Sequence, residues 1–213
     1  MNGIIIYYGM VKWVVFDFGG VIADEGFRGG LRFTAAENGL DPDRFFDVAR
    51  DLVYETGYVT GQADERAYWD ALRRATGIKD RDTELRKRII DRFVLRPTMI
   101  DEVKRLRSLG FHVGILSDQT GWLDEIDEKT GFSKHFDRIF NSFHLHKSKR
   151  DSSLFDDIED ELGAGPGEIL FVDDNEENTW RAASQGWKTI HFTTIENFKQ
   201  EIRSVLAGVH QGA

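Results

Sequence analysis

Acidic and hydroxyl side chains stand where apolar runs give way to polar residues. Asp17 follows Val14-Val15-Phe16, Ser117 and Asp118 follow His112-Val113-Gly114-Ile115-Leu116, and Asp173-Asp174 follow Ile169-Leu170-Phe171-Val172. A lysine-bearing stretch, His144-Leu145-His146-Lys147-Ser148-Lys149, lies between the last two. Such groups suit the chemistry of a phosphate ester. A carboxylate can attack phosphorus and carry the phosphoryl group as an acyl phosphate, dividing one hard displacement into two easier ones. Mg²⁺ takes one or two carboxylates together with substrate oxygens and water. Asp17 and Asp174 could supply the carboxylates, and the carbonyl of Gly19 a further oxygen. Ser117, with the free N–H groups of a following helix, suits a nonbridging phosphate oxygen. A lysine adds a point charge that offsets both phosphate and crowded carboxylates. Gly19 and Gly20 permit backbone angles closed to other residues and let a ligand approach the main chain.

These groups work together only if the chain brings them to one place. The short apolar runs ending at Asp17, Ser117 and Asp173 read as buried parallel strands. Arg138-Ile139-Phe140 and Lys188-Thr189-Ile190-His191-Phe192 read as two more. Helical patterns separate them: Ile100, Val103 and Leu106 up to Gly110; Leu123 and Ile126 up to Gly131; Leu154, Phe155 and Ile158 up to Gly163; Ala182-Ala183 up to Gly186. A last helix carries Phe198, Ile202 and Val205. Alternation of this kind predicts right-handed crossovers and a mostly parallel sheet. In such a sheet all the strand ends meet along one edge, so residues more than 150 positions apart become neighbours.

Residues 25–94 break that rhythm. No strand pattern occurs there, Asp41-Pro42 is a helix start, and three apolar stripes recur at helical spacing. They are Phe45, Phe46, Ala49, Leu52 and Val53; Tyr68, Trp69 and Leu72; and Leu85, Ile89, Ile90 and Phe93, with Gly57, Gly61 and Gly77 between. The stripes read as packing faces of a small helical bundle inserted after the first strand. The expected division is therefore a core of residues 11–24 and 95–213, a helical cap of 25–94, and an N-terminal extension of 1–10. Met10 is an alternative start.

With 213 residues, 40% of them hydrophobic and 31% charged, the composition is that of an ordinary globular protein. Lys plus Arg number 28 against 37 Asp plus Glu, a formal net charge of −9, which argues against nucleic-acid binding. No cysteine is present, which excludes disulfides and fits a cytoplasmic location. The run Ile4-Ile5-Ile6-Tyr7-Tyr8 is too short to span a bilayer, so no membrane role is expected.

Four motifs in this order resemble the haloacid dehalogenase-like (HAD) superfamily: Asp17-Phe18-Gly19-Gly20-Val21; Ile115-Leu116-Ser117-Asp118; the lysine stretch Ser142 to Lys149; and Phe171-Val172-Asp173-Asp174-Asn175-Glu176-Glu177-Asn178. The resemblance covers the chain from Trp13 onward. It implies an α/β fold, a three-layer Rossmann-like parallel sheet with an inserted helical cap. It also implies a Mg²⁺-dependent phosphatase acting on a small phosphorylated metabolite, of the subgroup with an Asp-x-Gly first motif. Asp17 would be the nucleophile, Lys149 its lysine and Ser117 a phosphate ligand. Asp118 and Gly20 would be further substrate contacts, and Asp17, Gly19, Asp173 and Asp174 would surround the metal, Asp173 directly or through water. A monomer or homodimer is expected.

Three departures from the family pattern carry consequences. The family's second Asp, two residues after the nucleophile, protonates the leaving oxygen and later activates water; here Gly19 stands in its place. Such acid–base catalysis contributes about 10²–10⁴-fold, so slow turnover of alkyl phosphates and build-up of phosphorylated Asp17 are expected. The family's Lys-Pro is Lys149-Arg150, which leaves Lys147 a rival. Asp118 replaces a common Asn and puts negative charge near the phosphate. Two other functions fit these departures: a HAD-fold protein that has lost catalysis and binds a phosphorylated ligand or partner, and a carbon–halogen hydrolase of the same superfamily.

Several other residues read more plainly. His144 and His146 lack a third ligand and read as an exposed loop. Asp173-Asp174 could also cap the following helix. Asn178 either orients the acidic loop or faces solvent, Asp24 reads as a solvated loop residue with contact to the cap hinge as the alternative, and Glu176 and Glu177 read as surface charge. Trp69, Trp122, Trp180 and Trp187 read as packing residues. Arg28, Arg32 and Tyr54 are candidates for a pocket facing the cap.

Overall fold

The computed structural model describes residues 11–207, so the expected extension at residues 1–10 and its apolar run lie outside the described residues. Five strands form one parallel sheet in the order β3-β2-β1-β4-β5. The central strand β1 (Trp13–Phe16) pairs on one side with β2 (His112–Ser117) and on the other with β4 (Ile169–Asp173). Strands β3 (Arg138–Asn141) and β5 (Lys188–His191) form the edges. Phe16 is in register with both Ile115 and Val172, so β1, β2 and β4 all stop at nearly the same height. That shared ending is what gathers the polar residues.

Side chains alternate between the two faces of the sheet, as strand geometry requires. Val14, Phe16, Leu170 and Val172 face one apolar cluster, which holds Met99, Val103 and Leu106 of α5 (Pro97–Ser108) and Phe198 and Ile202 of α10 (Ile195–Ala207). Val15, Ile169 and Phe171 face a second cluster, with Leu154, Phe155 and Ile158 of α8 (Ser153–Leu162), Ala182 of α9 (Glu176–Ser184), and Trp187. The core is thus a three-layer α/β arrangement with apolar packing on both sides of the sheet.

Residues 26–90 hold four helices: α1 (Gly26–Glu37), α2 (Pro42–Glu55), α3 (Glu65–Thr76) and α4 (Asp82–Ile90). Local chemistry sets their ends. Asp41 caps α2 by accepting the Arg44 N–H at 2.8 Å, with Pro42 in the first turn; Asp64 caps α3 through Ala67 at 2.8 Å. Phe45, Ala49 and Val53, four apart, make the buried stripe of α2. An aromatic cluster seats these helices on the core. Trp122 of α6 (Trp122–Thr130) stacks on Trp69 at 5.5 Å between centroids and meets the edge of Tyr58 at 5.5 Å.

The chain leaves the core and re-enters it through adjacent segments. The Asp24 N–H donates to Val94 O and the Arg96 N–H to Ile22 O, both at 2.9 Å, and Arg96 Nε reaches Asp24 Oδ1 at 3.0 Å. Asp24 therefore joins the two crossings, the second of its two readings, although its side chain stays largely exposed. Trp69, Trp122 and Trp187 are buried, but Trp180 is 69% exposed, correcting its reading as a packing residue. It lies on the outer face of α9, where the inward positions are taken by Thr179 and Ala182.

Candidate active site

Asp17 stands one residue beyond β1, its N–H held by Val172 O at 2.8 Å. Its Oδ1 accepts the Phe18 N–H at 2.7 Å and Ser117 Oγ at 2.5 Å, and lies 3.2 Å from Lys149 Nζ. Lys149 is buried, and its Nζ also donates to Asp173 Oδ2 at 2.6 Å. Asp173 is fully buried and held by further donors: the Asn175 N–H at 2.7 Å and Asn178 Nδ2 at 3.1 Å. Asn178 therefore orients the acidic loop, the first of its two readings. The cap of α9 is Asn175, which accepts the Glu177 N–H at 2.9 Å, so the two acids are not its capping residues.

One oxygen each from Asp17, Asp173 and Asp174 lie within 4.8 Å of one another. Gly20 makes room for this: its φ is +80°, and a Cβ there would stand 2.2 Å from Asp174 Oδ2. Three carboxylates this close repel one another, and two of them, Asp17 and Asp173, are buried while Asp174 is exposed. Burial, opposed by Lys149 and reinforced by Asp173 and Asp174, pushes the Asp17 carboxyl up to about 8. Burial and Asp173 likewise raise Asp174. For Lys149, burial works against the charge, but Asp17, Asp173 and Asp118 outweigh it and hold the ammonium charged well above its ordinary range. One ammonium does not balance the acids, and an all-oxygen donor set short of positive charge suits a hard divalent cation.

The two lysines of the third motif part company. Lys149 joins the carboxylates, whereas Lys147 is half-buried outside the cluster and pairs with the exposed Asp157. Asp118 has both oxygens occupied: Oδ1 by the Lys149 N–H at 2.9 Å and Oδ2 by the Tyr54 hydroxyl at 3.0 Å. Its charge is thus directed at protein donors, though burial still raises its carboxyl. The Arg150 guanidinium lies 3.4 Å above the centre of the Tyr54 ring, filling the place where a Lys-Pro pattern has proline.

These residues edge a cleft between the sheet and the helices. Asp17, Gly19, Asp118, Lys149 and Asp174 line it from the core; Arg28, Phe46, Arg50 and Tyr54 line it from α1 and α2. Ser117 and Asp173 lie just beneath its floor, and Gly20 backs Asp174. Of the three pocket candidates from the helical block, Arg32 is not in the cleft; it pairs with Asp43 on the surface. The α2 stripe also proves to have two uses, since Phe46 and Val53 line the cleft. His144 pairs with Asp124 and His146 with the Thr60 carbonyl, both exposed and away from the acids.

Glu25, Gln119 and Thr120 line the same cleft and carried no sequence motif. Glu25 is the N-cap of α1, its Oε2 accepting the Arg28 N–H at 2.6 Å. Burial raises its carboxyl, against the pull of that N–H and of Arg28. A carboxylate just before a helix is a recognisable cap, but nothing in the sequence says that it faces residue 19.

A family model of haloacid dehalogenase-like hydrolases matches residues 11–185. The chain belongs to this hydrolase family. It is 22% identical over 217 residues to D-ribitol-5-phosphate phosphatase of Bacteroides thetaiotaomicron, covering 92% of this chain and 99% of that one. A HAD family enzyme of the same organism, solved with magnesium and inorganic phosphate, superposes with a TM-score of 0.71 at 20% identity, over 91% of this chain and 100% of the other. L-2-haloacid dehalogenase of Xanthobacter autotrophicus, with chloropropionic acid covalently bound, gives 0.65 at 20% identity, over 92% and 83%. Both solved structures share the fold. Among the described residues no helix is long and apolar enough to cross a membrane.

Proposed function

We propose that this hydrolase is a Mg²⁺-dependent phosphomonoesterase for a small phosphorylated metabolite, working through a phosphoryl group carried on Asp17. The observation that supports it most is the meeting of Asp17 with Lys149 on one side and the Asp173-Asp174 pair on the other, at the floor of a cleft closed over by α1 and α2. The similarity to a sugar-alcohol phosphate phosphatase and to a magnesium- and phosphate-bound relative points the same way.

Asp17 and Asp174 would hold the cation, with Asp173 beside it and the Gly19 carbonyl within reach of the same cleft. A bound Mg²⁺ would draw charge from the phosphoryl oxygens and keep Asp17 ionised. Asp17 then attacks phosphorus in line with the ester oxygen. Lys149, fixed by Asp173, offsets the charge gathering on the phosphoryl group. Ser117 turns its hydroxyl from Asp17 to a phosphoryl oxygen, and Gly20 and Asp118 keep the neighbouring acid and lysine backbone in place. Residues 25–94 act as the cap, whose inner side chains Phe46, Arg50 and Tyr54 select the substrate and exclude water.

The acidic cluster favours this reading over carbon–halogen hydrolysis, which requires no cation. The test is phosphate release from a panel of small monoesters with Mg²⁺ or EDTA, alongside chloride release from haloacids. Release that needs Mg²⁺ and disappears in Asp17→Asn, with circular dichroism unchanged, is the expected result. Chloride release in EDTA, or saturable phosphate binding without turnover, would overturn it.

A further inference from the structure

The site as described has a nucleophile and charge to stabilise phosphoryl transfer, but no group at residue 19 to protonate the departing oxygen. A Cβ placed on Gly19 meets three neighbours: Phe93 Cε1 at 3.3 Å, Gln119 Nε2 at 3.5 Å and Glu25 Oε1 at 3.5 Å. Only the last of these side chains can release a proton and take it back. We propose that Glu25 is the general acid and base of this hydrolase, its carboxyl reaching from α1 into the space that a carboxylate at position 19 would fill. The inference rests on the phosphomonoesterase reading above.

Other acids of the cleft are committed elsewhere. Asp17 is the nucleophile, and Asp118 accepts from Tyr54 and from the Lys149 N–H. The Tyr54 hydroxyl donates to Asp118, and Asp174 sits with the acidic cluster behind Gly20. Asp173 is buried under three donors. Glu25 divides its two oxygens differently. Oε2 is fixed by the Arg28 N–H, while Oε1 is the atom beside Gly19. The cap bond at the start of α1 thus aims the other oxygen at the cleft.

The two half-reactions balance with this one proton carrier. In the first, an Asp17 oxygen bonds to phosphorus, the bond from phosphorus to the ester oxygen breaks, and that oxygen takes the proton of the Glu25 carboxylic acid and leaves as an alcohol. In the second, water attacks phosphorus, its proton passes to the Glu25 carboxylate, and the bond from phosphorus to Asp17 breaks. Inorganic phosphate departs, Asp17 is again a carboxylate and Glu25 is again protonated. The wild-type chain therefore turns over esters with poor leaving groups in spite of Gly19.

Glu25→Gln keeps an oxygen for the Arg28 N–H and removes proton transfer alone. The experiment compares phenyl phosphate with p-nitrophenyl phosphate, whose leaving group needs little protonation, and follows both product release and phosphate retained on the protein. For Glu25→Gln, formation of the phosphorylated protein is expected to slow about 10²-fold with phenyl phosphate and only a few-fold with p-nitrophenyl phosphate. With p-nitrophenyl phosphate a burst approaching one equivalent should be followed by slow turnover and retained phosphate. Gly19→Asp added to Glu25→Ala, where the lost side chain makes room, should recover at least tenfold. Turnover of phenyl phosphate within threefold of wild type in Glu25→Gln would overturn the assignment, as would equal losses on both esters without retained phosphate. Asp17→Asn run in parallel separates the two levels: activity surviving in that variant, or a wild-type chain that releases phosphate from neither ester, defeats the phosphomonoesterase reading itself and the Glu25 role with it.

Discussion

The Tyr54 hydroxyl donates to Asp118 at 3.0 Å, joining α2 to the loop after β2 across 64 positions of sequence. Arg150 covers the Tyr54 ring, so one aromatic side chain is pinned at both its face and its tip. The bond links the inserted helices to the same acid that holds the Lys149 backbone.

Tyr54→Phe removes that tie and leaves a buried carboxylate oxygen short of a donor, a loss of about 1–3 kcal/mol. For a chain of this size the melting temperature should fall by about 2–12 °C. KM should rise several-fold while kcat changes little, because the lost contact positions the upper wall and not the reacting atoms. Scanning calorimetry and steady-state kinetics check both, and an unchanged melt with unchanged KM would remove the latch from the account.

Lys149→Met and Lys147→Met should behave oppositely. The first leaves Asp17 and Asp173 buried together without their cation, costing about 3–5 kcal/mol, and lowers kcat by at least about 10²-fold. The second breaks an exposed pair with Asp157 and should change stability by less than about 1 kcal/mol. Urea melts and phosphate release decide it. Equal effects from the two substitutions would contradict the assignment of Lys149.

Stability of the metal-free protein should fall as pH rises. The Asp17 carboxyl goes from an ordinary 3.8 to about 8, with Glu25, Asp118 and Asp174 shifted the same way, each chiefly by burial. The fold thus favours the protonated forms. This contribution is fully present below the unfolded value and is lost as pH climbs through the folded one. In EDTA, the melting temperature should decline from about pH 5 to about pH 8. Mg²⁺ should restore more at the upper end than the lower, and Asp17→Asn should flatten the slope. A melt in EDTA that rises across this range would refute the strain assigned to the acidic cluster.

The fold is readable because short strand segments, three of them apolar runs closed by a polar residue, alternate with helical stripes; sheet register then does the rest, with Phe16 opposite both Ile115 and Val172. Asp17, Ser117, Asp173 and Asp174 share one rim for that reason alone. Spacing from Ser142 and from the following helix favours Lys149 over Lys147, and the turn into α8 does carry Lys149 to the carboxylates and Lys147 to Asp157. For Arg32 and Trp180, a shift of one helical position decides whether a side chain faces inward or solvent, and residue type alone does not show it. Glu25 is not legible in the sequence for a related reason. Its local signature is that of a helix cap, and its second role exists only once α1 is laid against Gly19.

The helical insertion departs at Asp24 and comes home at Val94, within a single hydrogen bond of its own point of departure. A chain segment fastened through one doorway can be lengthened, shortened or exchanged while the rim beneath it keeps its shape. What the enzyme accepts and how it breaks the bond are therefore open to change at different speeds. Glu25 stands on the threshold, where a new lid would have to bring its own proton.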